Sequence, residues 1–290
     1  MPLNLFINEP DIYSSVYFEN QPEFGSIYRP GDEFDPASVE AICISLKDVI
    51  DDKYLKDFPN LKYIVSNTTA VDHIKTSRPV QIIHLDSLEI QNITATAEFT
   101  LALMLSLVRK IPFINSNKPD KRLSYRGMQL NGKILGIFGF GRLGKLMSGY
   151  AESLKMDWIS FDKNDSLHKK FQILKESDII TIHLPLAKET IGFFGGVEFD
   201  QMEKKPYLIN TSRPQIINKP ALLNALDTGQ ISGAAMDFIN YDANFEWDLD
   251  LKKYTDKNLL LTPHIAGNTY ESVSATAKIV VNKLAKRLSS

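Results

Sequence analysis

The chain has 290 residues, 43% of them hydrophobic and 23% charged, with a formal net charge of −2. That length suggests about two domains, the composition is that of an ordinary soluble globular protein, and the charge balance speaks against a nucleic-acid or anionic-membrane partner. A single cysteine, Cys43, excludes an internal disulfide and a multi-cysteine metal site, and fits a reducing cytoplasm.

The first residues, MPLNLFINEPDIY, carry no basic stretch before their short apolar run and do not read as a signal peptide. Apolar runs at 3–7, 41–45, 63–66 and 80–85 predict strands, with a helix over 47–58 between the second and third. Strands alternating with helices predict a parallel, flavodoxin-like α/β layer. Residues 94–111 predict a long helix, apolar on nearly every face from Phe99 to Val108. Such a helix is buried on several sides, either crossing between domains or lining a subunit interface. Its apolar part lies between Glu98 and Arg109 and is too short to span a bilayer. Pro112 should kink or end it. Residues 115–131 are polar and irregular, and their basic cluster, Lys118, Lys121, Arg122 and Arg126, reads as a solvated connection.

Residues 133–162 read KILGIFGFGRLGKLMSGYAESLKMDWISFD. A strand at 134–138 runs into Gly139, Gly141 and Gly144 in G-x-G-x-x-G spacing; a helix at 143–155 follows, then a strand at 158–161 that ends in Asp162. This is the order of a dinucleotide-binding βαβ unit. Gly139 permits the sharp turn, Gly141 lets backbone approach a pyrophosphate, and Gly144 lets helix and strand pack closely. The helix start, with Arg142 and Leu143, offers N–H groups and a partial positive charge to phosphates. Asp162 can accept hydrogen bonds from both ribose hydroxyls and would repel a 2′-phosphate, which favours NAD over NADP.

Further strands are predicted at 178–184, 207–210, 233–236 and 259–261, with helices at 220–228 and 271–288; Pro220 suits the start of the first helix and Gly229 its end. Ligands bind beyond the carboxyl ends of parallel strands. Six positions follow such runs: Gly139, Asp162, Pro185 (after His183 and Leu184), the group Thr211, Ser212 and Arg213, Asp237, and His264. If all six strands are parallel, these residues share one rim, with an arginine and a histidine beside a cofactor crevice. His264 sits on a loop directly after a strand, the usual place for a functional histidine. His73, His84, His168 and His183 have no evident chemical partner in sequence and read as structural or exposed, although His183 can line the crevice. No His or acid cluster has metal-ligand spacing.

These residues also resemble a known family, the NAD-dependent D-isomer-specific 2-hydroxyacid dehydrogenases. The likeness runs from about Tyr63 onward and is carried by TAEFTLALMLSLVRKIP (96–112), LGIFGFGRLGK (135–145), SDIITIHLPLAKET (177–190), LINTSRPQIIN (208–218), GAAMDF (233–238) and LLLTPHIAGNT (259–269). It implies an α/β fold of two parallel-sheet domains: a flavodoxin-like substrate domain from 1–94 and 269–290, and a Rossmann-type cofactor domain from 95–268. Closure of the cleft between them would exclude water, and a homodimer is the usual assembly. It implies that Arg213 holds the substrate carboxylate and polarises its carbonyl, and that His264 exchanges a proton with the carbonyl oxygen. Asp242 takes the place of the glutamate that usually supports the histidine, with Glu246 as the fallback. Asp237 matches a position that contacts the nicotinamide amide. Arg142, Leu143, His183, Leu184, Pro185, Thr211 and Ser212 fall among the cofactor contacts. The substrate loop resembles residues 67–73, where backbone N–H groups around Ala70 and Val71 can bind a carboxylate; Thr68 and Ala70 stand where glycine is common. Pro214 stands where glycine usually follows the arginine and restricts Arg213 to extended conformations.

The expected activity is hydride transfer between NAD and a 2-hydroxy acid or its 2-oxo acid. The other reading, motivated by Pro214 and Asp242, is an NAD(H)-binding regulatory protein with weakened catalysis.

Overall fold

The computed structural model describes residues 2–46, 49–111, 126–237 and 258–289. The chain divides into two compact units, one from residues 1–93 and 268–290, the other from 94–267.

The first unit holds a parallel sheet of β1 (Leu3–Ile7), β2 (Phe24–Tyr28), β3 (Ala41–Ile44), β5 (Tyr63–Ser66) and β7 (Gln81–Ile83). Their order, β2-β1-β3-β5-β7, is the flavodoxin-like arrangement. Two short parallel strands, β4 (Ile50–Asp51) and β6 (Ile74–Lys75), pair separately. Strand alternation sorts the core. Leu3, Leu5 and Ile7 face Ala277, Val280, Val281 and Leu284 of the last helix, whereas Phe6 packs with Leu55, Phe58 and Ile64 on the opposite side.

One expectation here is corrected. In place of a helix over 47–58, the described part holds β4 and a 3-10 turn (Tyr54–Asp57). The Asp51 carboxylate accepts the Tyr54 N–H at 2.8 Å, which starts a helical turn only there, and Phe58, placed before Pro59 with φ −117° and ψ 75°, ends it. Strands β2, β4 and β6 were not legible in the sequence pattern.

The second unit is a doubly wound, Rossmann-type sheet. Its strands are β8 (Ile134–Phe138), β9 (Asp157–Phe161), β10 (Ile179–Ile182), β11 (Tyr207–Asn210), β12 (Gly233–Asp237) and β13 (Leu259–Thr262). The order is β13-β12-β11-β10-β8-β9, parallel throughout. Two helices, α1 (Ala95–Val108) and α2 (Arg142–Ser153), bring Leu103, Met104, Leu107, Met147 and Ala151 against Leu135, Ile137, Ile179 and Ile209. The other face is covered by α3 (Leu167–Glu176), α4 (Gly196–Asp200) and α5 (Lys219–Thr228), with Ile173, Leu174, Phe199, Leu222 and Leu226 over Phe138, Ile180, Ile182 and Leu208. Asn218 caps α5 through the Ala221 N–H at 3.0 Å, and Gly229 closes it with φ +69°.

Helix α1 ends at Val108, earlier than the expected residue 111, and Lys110 takes a left-handed φ of +55°. The buried residues of α1 explain its apolar sequence, although Leu105 stays 36% exposed. Pro112 and the residues Lys118, Lys121 and Arg122 lie outside the described residues. The chain's last helix, α6 (Tyr270–Ser289), belongs to the first unit. No helix among the described residues is long and apolar enough to cross a membrane.

Candidate active site

In the second sheet the winding reverses between β8 and β10, so the loops that leave these adjacent strands diverge and open a crevice at their carboxyl ends. The glycine turn occupies that point. Gly139 has φ +95°, and a Cβ there would stand 2.6 Å from the His183 carbonyl oxygen. Its N–H donates to the Phe161 carbonyl at 2.8 Å, while the His183 N–H donates to the Phe138 carbonyl at 2.7 Å. A Cβ on Gly144 would collide with the Gly139 carbonyl, so the helix sits hard against the turn.

Gly141 is different. It precedes α2 with an ordinary extended φ of −77°, and a Cβ there would meet no neighbouring atom of the described residues within 4 Å. The fold does not require glycine at that point; a ligand lying against the turn would. At the start of α2 the Lys145 N–H donates to the Gly141 carbonyl at 3.0 Å. The N–H groups of Leu143 and Gly144 precede it at the positive end of the helix dipole. Arg142 is half-buried, and its guanidinium pKa is lowered by burial. Asp162 lies exposed at the end of β9, its Oδ1 accepting the Lys163 N–H at 2.7 Å. This geometry fits a dinucleotide: open space over the turn, helix N–H groups beneath it, and a carboxylate one strand away.

Arg213 is carried by β11 through a buried residue not anticipated from the sequence, Asn210. Its side chain accepts the Ser212 N–H at 2.8 Å and donates to the Arg213 carbonyl at 2.9 Å. The Ser212 hydroxyl donates to the Leu184 carbonyl, joining this loop to the one after β10. Thr211 is occupied structurally, its hydroxyl 2.8 Å from that of Thr100 on α1. Arg213 is extended, with φ −132° and ψ 140°, as a residue before proline should be. Pro214 opens a 3-10 turn (Pro214–Ile216), the position where a missing N–H costs nothing. The signal for Asn210 was present: a polar residue closing an apolar run directly before the arginine.

His264 follows β13 with φ +54°, a left-handed conformation uncommon for a non-glycine residue. Asp237, 1% exposed at the end of β12, brackets it. Its Oδ1 accepts from the Thr262 hydroxyl at 2.5 Å and the Ile265 N–H at 3.0 Å, and its Oδ2 accepts the Ala266 N–H at 2.7 Å. A carboxylate has about four acceptor positions, and the described residues fill three of them. Asp242 and Glu246 lie outside the described residues.

Both His183 ring nitrogens are buried without a hydrogen-bond partner among the described residues, and burial pushes its pKa down to about 4. The ring is therefore neutral near neutral pH. His73 is buried near Ser66, His84 Nδ1 stands 3.1 Å from the Leu85 carbonyl, and His168 is exposed on α3. Among the described residues no cluster of three or more His, Cys, Asp or Glu can hold a metal ion.

Comparison with known proteins agrees with this geometry. Residues 101–266 match the family described as D-isomer specific 2-hydroxyacid dehydrogenase, NAD binding domain. The chain is 31% identical over 270 residues to a glyoxylate reductase of Thermococcus litoralis, covering 85% of this chain and 80% of that protein. It is 30% identical over 262 residues to a D-3-phosphoglycerate dehydrogenase of Archaeoglobus fulgidus, covering 84% of this chain but 49% of that longer protein. In fold it is similar to a D-lactate dehydrogenase from Aquifex aeolicus solved with NAD and lactic acid. That likeness has a TM-score of 0.77 at 23% identity and covers 99% of this chain and 95% of the other.

Proposed function

The chain belongs to the D-isomer-specific 2-hydroxyacid dehydrogenases, NAD-dependent oxidoreductases that interconvert 2-hydroxy and 2-oxo acids, and on that premise we propose how its residues divide the work. The dinucleotide phosphates lie on Gly139–Gly144 with Arg142 and Leu143, the adenosine ribose on Asp162, and the nicotinamide end toward His183, Leu184, Pro185, Thr211, Ser212 and Asp237. The fourth acceptor position of Asp237 suits the carboxamide. When bound, NADH supplies the hydride that reduces the substrate carbonyl carbon.

The remaining chemistry falls to side chains. Arg213 pairs with the substrate carboxylate and draws electron density toward the carbonyl oxygen. His264 donates its proton to that oxygen as negative charge develops there, and recovers it as a base in the reverse direction. Asp242 is proposed, from the resemblance, to hold the imidazolium form of His264. In the first unit, the N–H groups of Ala70 and Val71 bind the carboxylate, which makes that unit the substrate domain.

One observation carries this assignment. Arg213 and His264 leave the same edge of one parallel sheet, each on a loop fastened by a buried polar side chain, Asn210 and Asp237. Pro214 sits where proline fits, so it gives no ground for weakened catalysis.

The substrate is proposed to be a small 2-oxo or 2-hydroxy acid. We also propose a cytoplasmic homodimer; the partly exposed Leu105 on α1 supports the dimer, and the lone buried Cys43 supports the compartment. The test is NADH oxidation with glyoxylate, pyruvate and hydroxypyruvate. Turnover of at least one is expected, with loss in Arg213→Gln. Turnover undiminished in that variant would overturn the assignment.

A further inference from the structure

The loop at 67–73 leaves the carboxyl end of β5, where the buried Tyr13 hydroxyl stands 2.7 Å from the Ile44 carbonyl and 3.3 Å from that of Val65. The loop's substrate-binding role is part of the proposed function, and the role assigned below to Thr68 rests on it.

Thr68 occupies a place where the family commonly has glycine, and its hydroxyl is engaged. It has one hydrogen, donated to the Ala70 carbonyl at 2.7 Å. The Ser66 hydroxyl, 2.7 Å from Thr68 Oγ1, is therefore the donor in that contact. With the Ser66 hydrogen committed, its oxygen is left to accept, and His73 Nε2 stands 3.5 Å from it. Ser66 and His73 are buried. A directed set of bonds thus runs from the packed interior through Ser66 and Thr68 to one peptide group.

That peptide is the one that matters. The loop carbonyls turn inward: Thr68 accepts from the Leu85 N–H at 3.0 Å, Ala70 from the Thr68 hydroxyl, and Val71 from the Ile74 N–H at 2.9 Å. In a trans peptide the N–H points opposite to the preceding carbonyl. The N–H groups of Thr69 and Val71 are therefore turned away from those acceptors. Among the described residues, none accepts from the N–H of Thr69, Ala70 or Val71. Backbone N–H groups left open in this way can be engaged by an anion.

We propose that Thr68 is a positioning residue for the 2-oxo acid: its hydroxyl, held by Ser66, fixes the Ala70–Val71 peptide so that the Val71 N–H is presented to the substrate carboxylate. Glycine would leave this peptide free to rotate. Threonine replaces that freedom with a bond, and the loop is prepared before substrate arrives.

The test uses the full chain saturated with NADH, with whichever of glyoxylate, pyruvate or hydroxypyruvate it turns over. Thr68→Val removes the hydroxyl at nearly constant shape and is expected to raise KM for the oxo acid about tenfold, leaving the Kd for NADH unchanged. Thr68→Ser, which restores the hydroxyl, is expected to return KM to the parent value. Ser66→Ala, which removes only the donor to Thr68, is expected to raise KM in the same direction by less, and serves if the valine variant does not fold. An unchanged KM in Thr68→Val would overturn the proposal while leaving the function intact. So would a serine variant as impaired as the valine one, or an equal rise in the Kd for NADH. Absence of turnover by the parent protein on all three acids would overturn the functional reading and this inference with it.

Discussion

Asp237 accepts the Ala266 N–H at 2.7 Å, a bond that reaches from the end of β12 to the far side of the His264 loop. With the Ile265 N–H and the Thr262 hydroxyl on its other oxygen, this carboxylate engages residues on both sides of the histidine. An amide cannot reproduce that pattern, since its nitrogen would meet donors. Asp237→Asn is expected to lose about 2 kcal/mol of stability, with kcat falling more than the affinity for NADH weakens. Denaturant unfolding and steady-state kinetics on the same preparation check both.

His264 is held in a left-handed backbone conformation that costs a non-glycine residue about 1 kcal/mol. Asparagine tolerates that region better and cannot transfer the proton. His264→Asn should lower kcat by about a hundredfold or more, while its thermal midpoint stays level or rises. A variant that kept full turnover would remove His264 from the mechanism.

Two glycines of one turn should fail differently. Gly139→Ala places a Cβ 2.6 Å from the His183 carbonyl oxygen at φ +95°, and is expected to lose about 3 kcal/mol of stability. Gly141→Ala meets no neighbouring atom of the described residues and should fold like the parent, yet bind NADH at least about tenfold more weakly. Thermal unfolding and NADH fluorescence titration separate the two effects.

The buried His183 gives the protein an acid sensitivity of its own. Burial lowers its folded pKa from 6.5 to about 4. Between those values the unfolded chain takes up a proton that the folded chain refuses. Its contribution is therefore fully present above pH 6.5 and is lost as pH falls towards about 4, by up to about 3 kcal/mol. His183→Leu should flatten the fall in denaturant midpoint between about pH 7 and pH 5. An unchanged slope would place that sensitivity elsewhere.

Much of this arrangement was legible in the residues. Strands β8, β10, β11 and β12 are short apolar runs, almost wholly buried, and read without ambiguity, whereas the edge strands β9 and β13 are partly exposed and are marked by the Asp162 and His264 that follow them. The first unit was less transparent. Strand β2, FGSIY, carries a glycine and a serine at the sheet edge and lacks a continuous apolar signal. In the second unit α3 was also missed, because its buried Lys170, paired with Glu198 at 2.7 Å and 4.0 Å from the Phe193 ring centre, interrupts the apolar period. Within the site, chain order locates Arg213 and His264. It does not show what fastens them, because Asp237 and Ala266 are far apart in sequence and meet only through adjacent parallel strands.

The sheet of the first unit is covered by a helix made after the second unit. Leu5, Ile7 and Val65 are buried against Ala277, Val280, Val281 and Leu284, yet all of residues 94–267 intervene. During synthesis the continuous second unit can close while the first still shows an apolar face. The N-terminal strands must therefore wait, chaperoned or exposed, until α6 leaves the ribosome. Stalled or shortened chains should accordingly aggregate through the first unit, although the second is already folded.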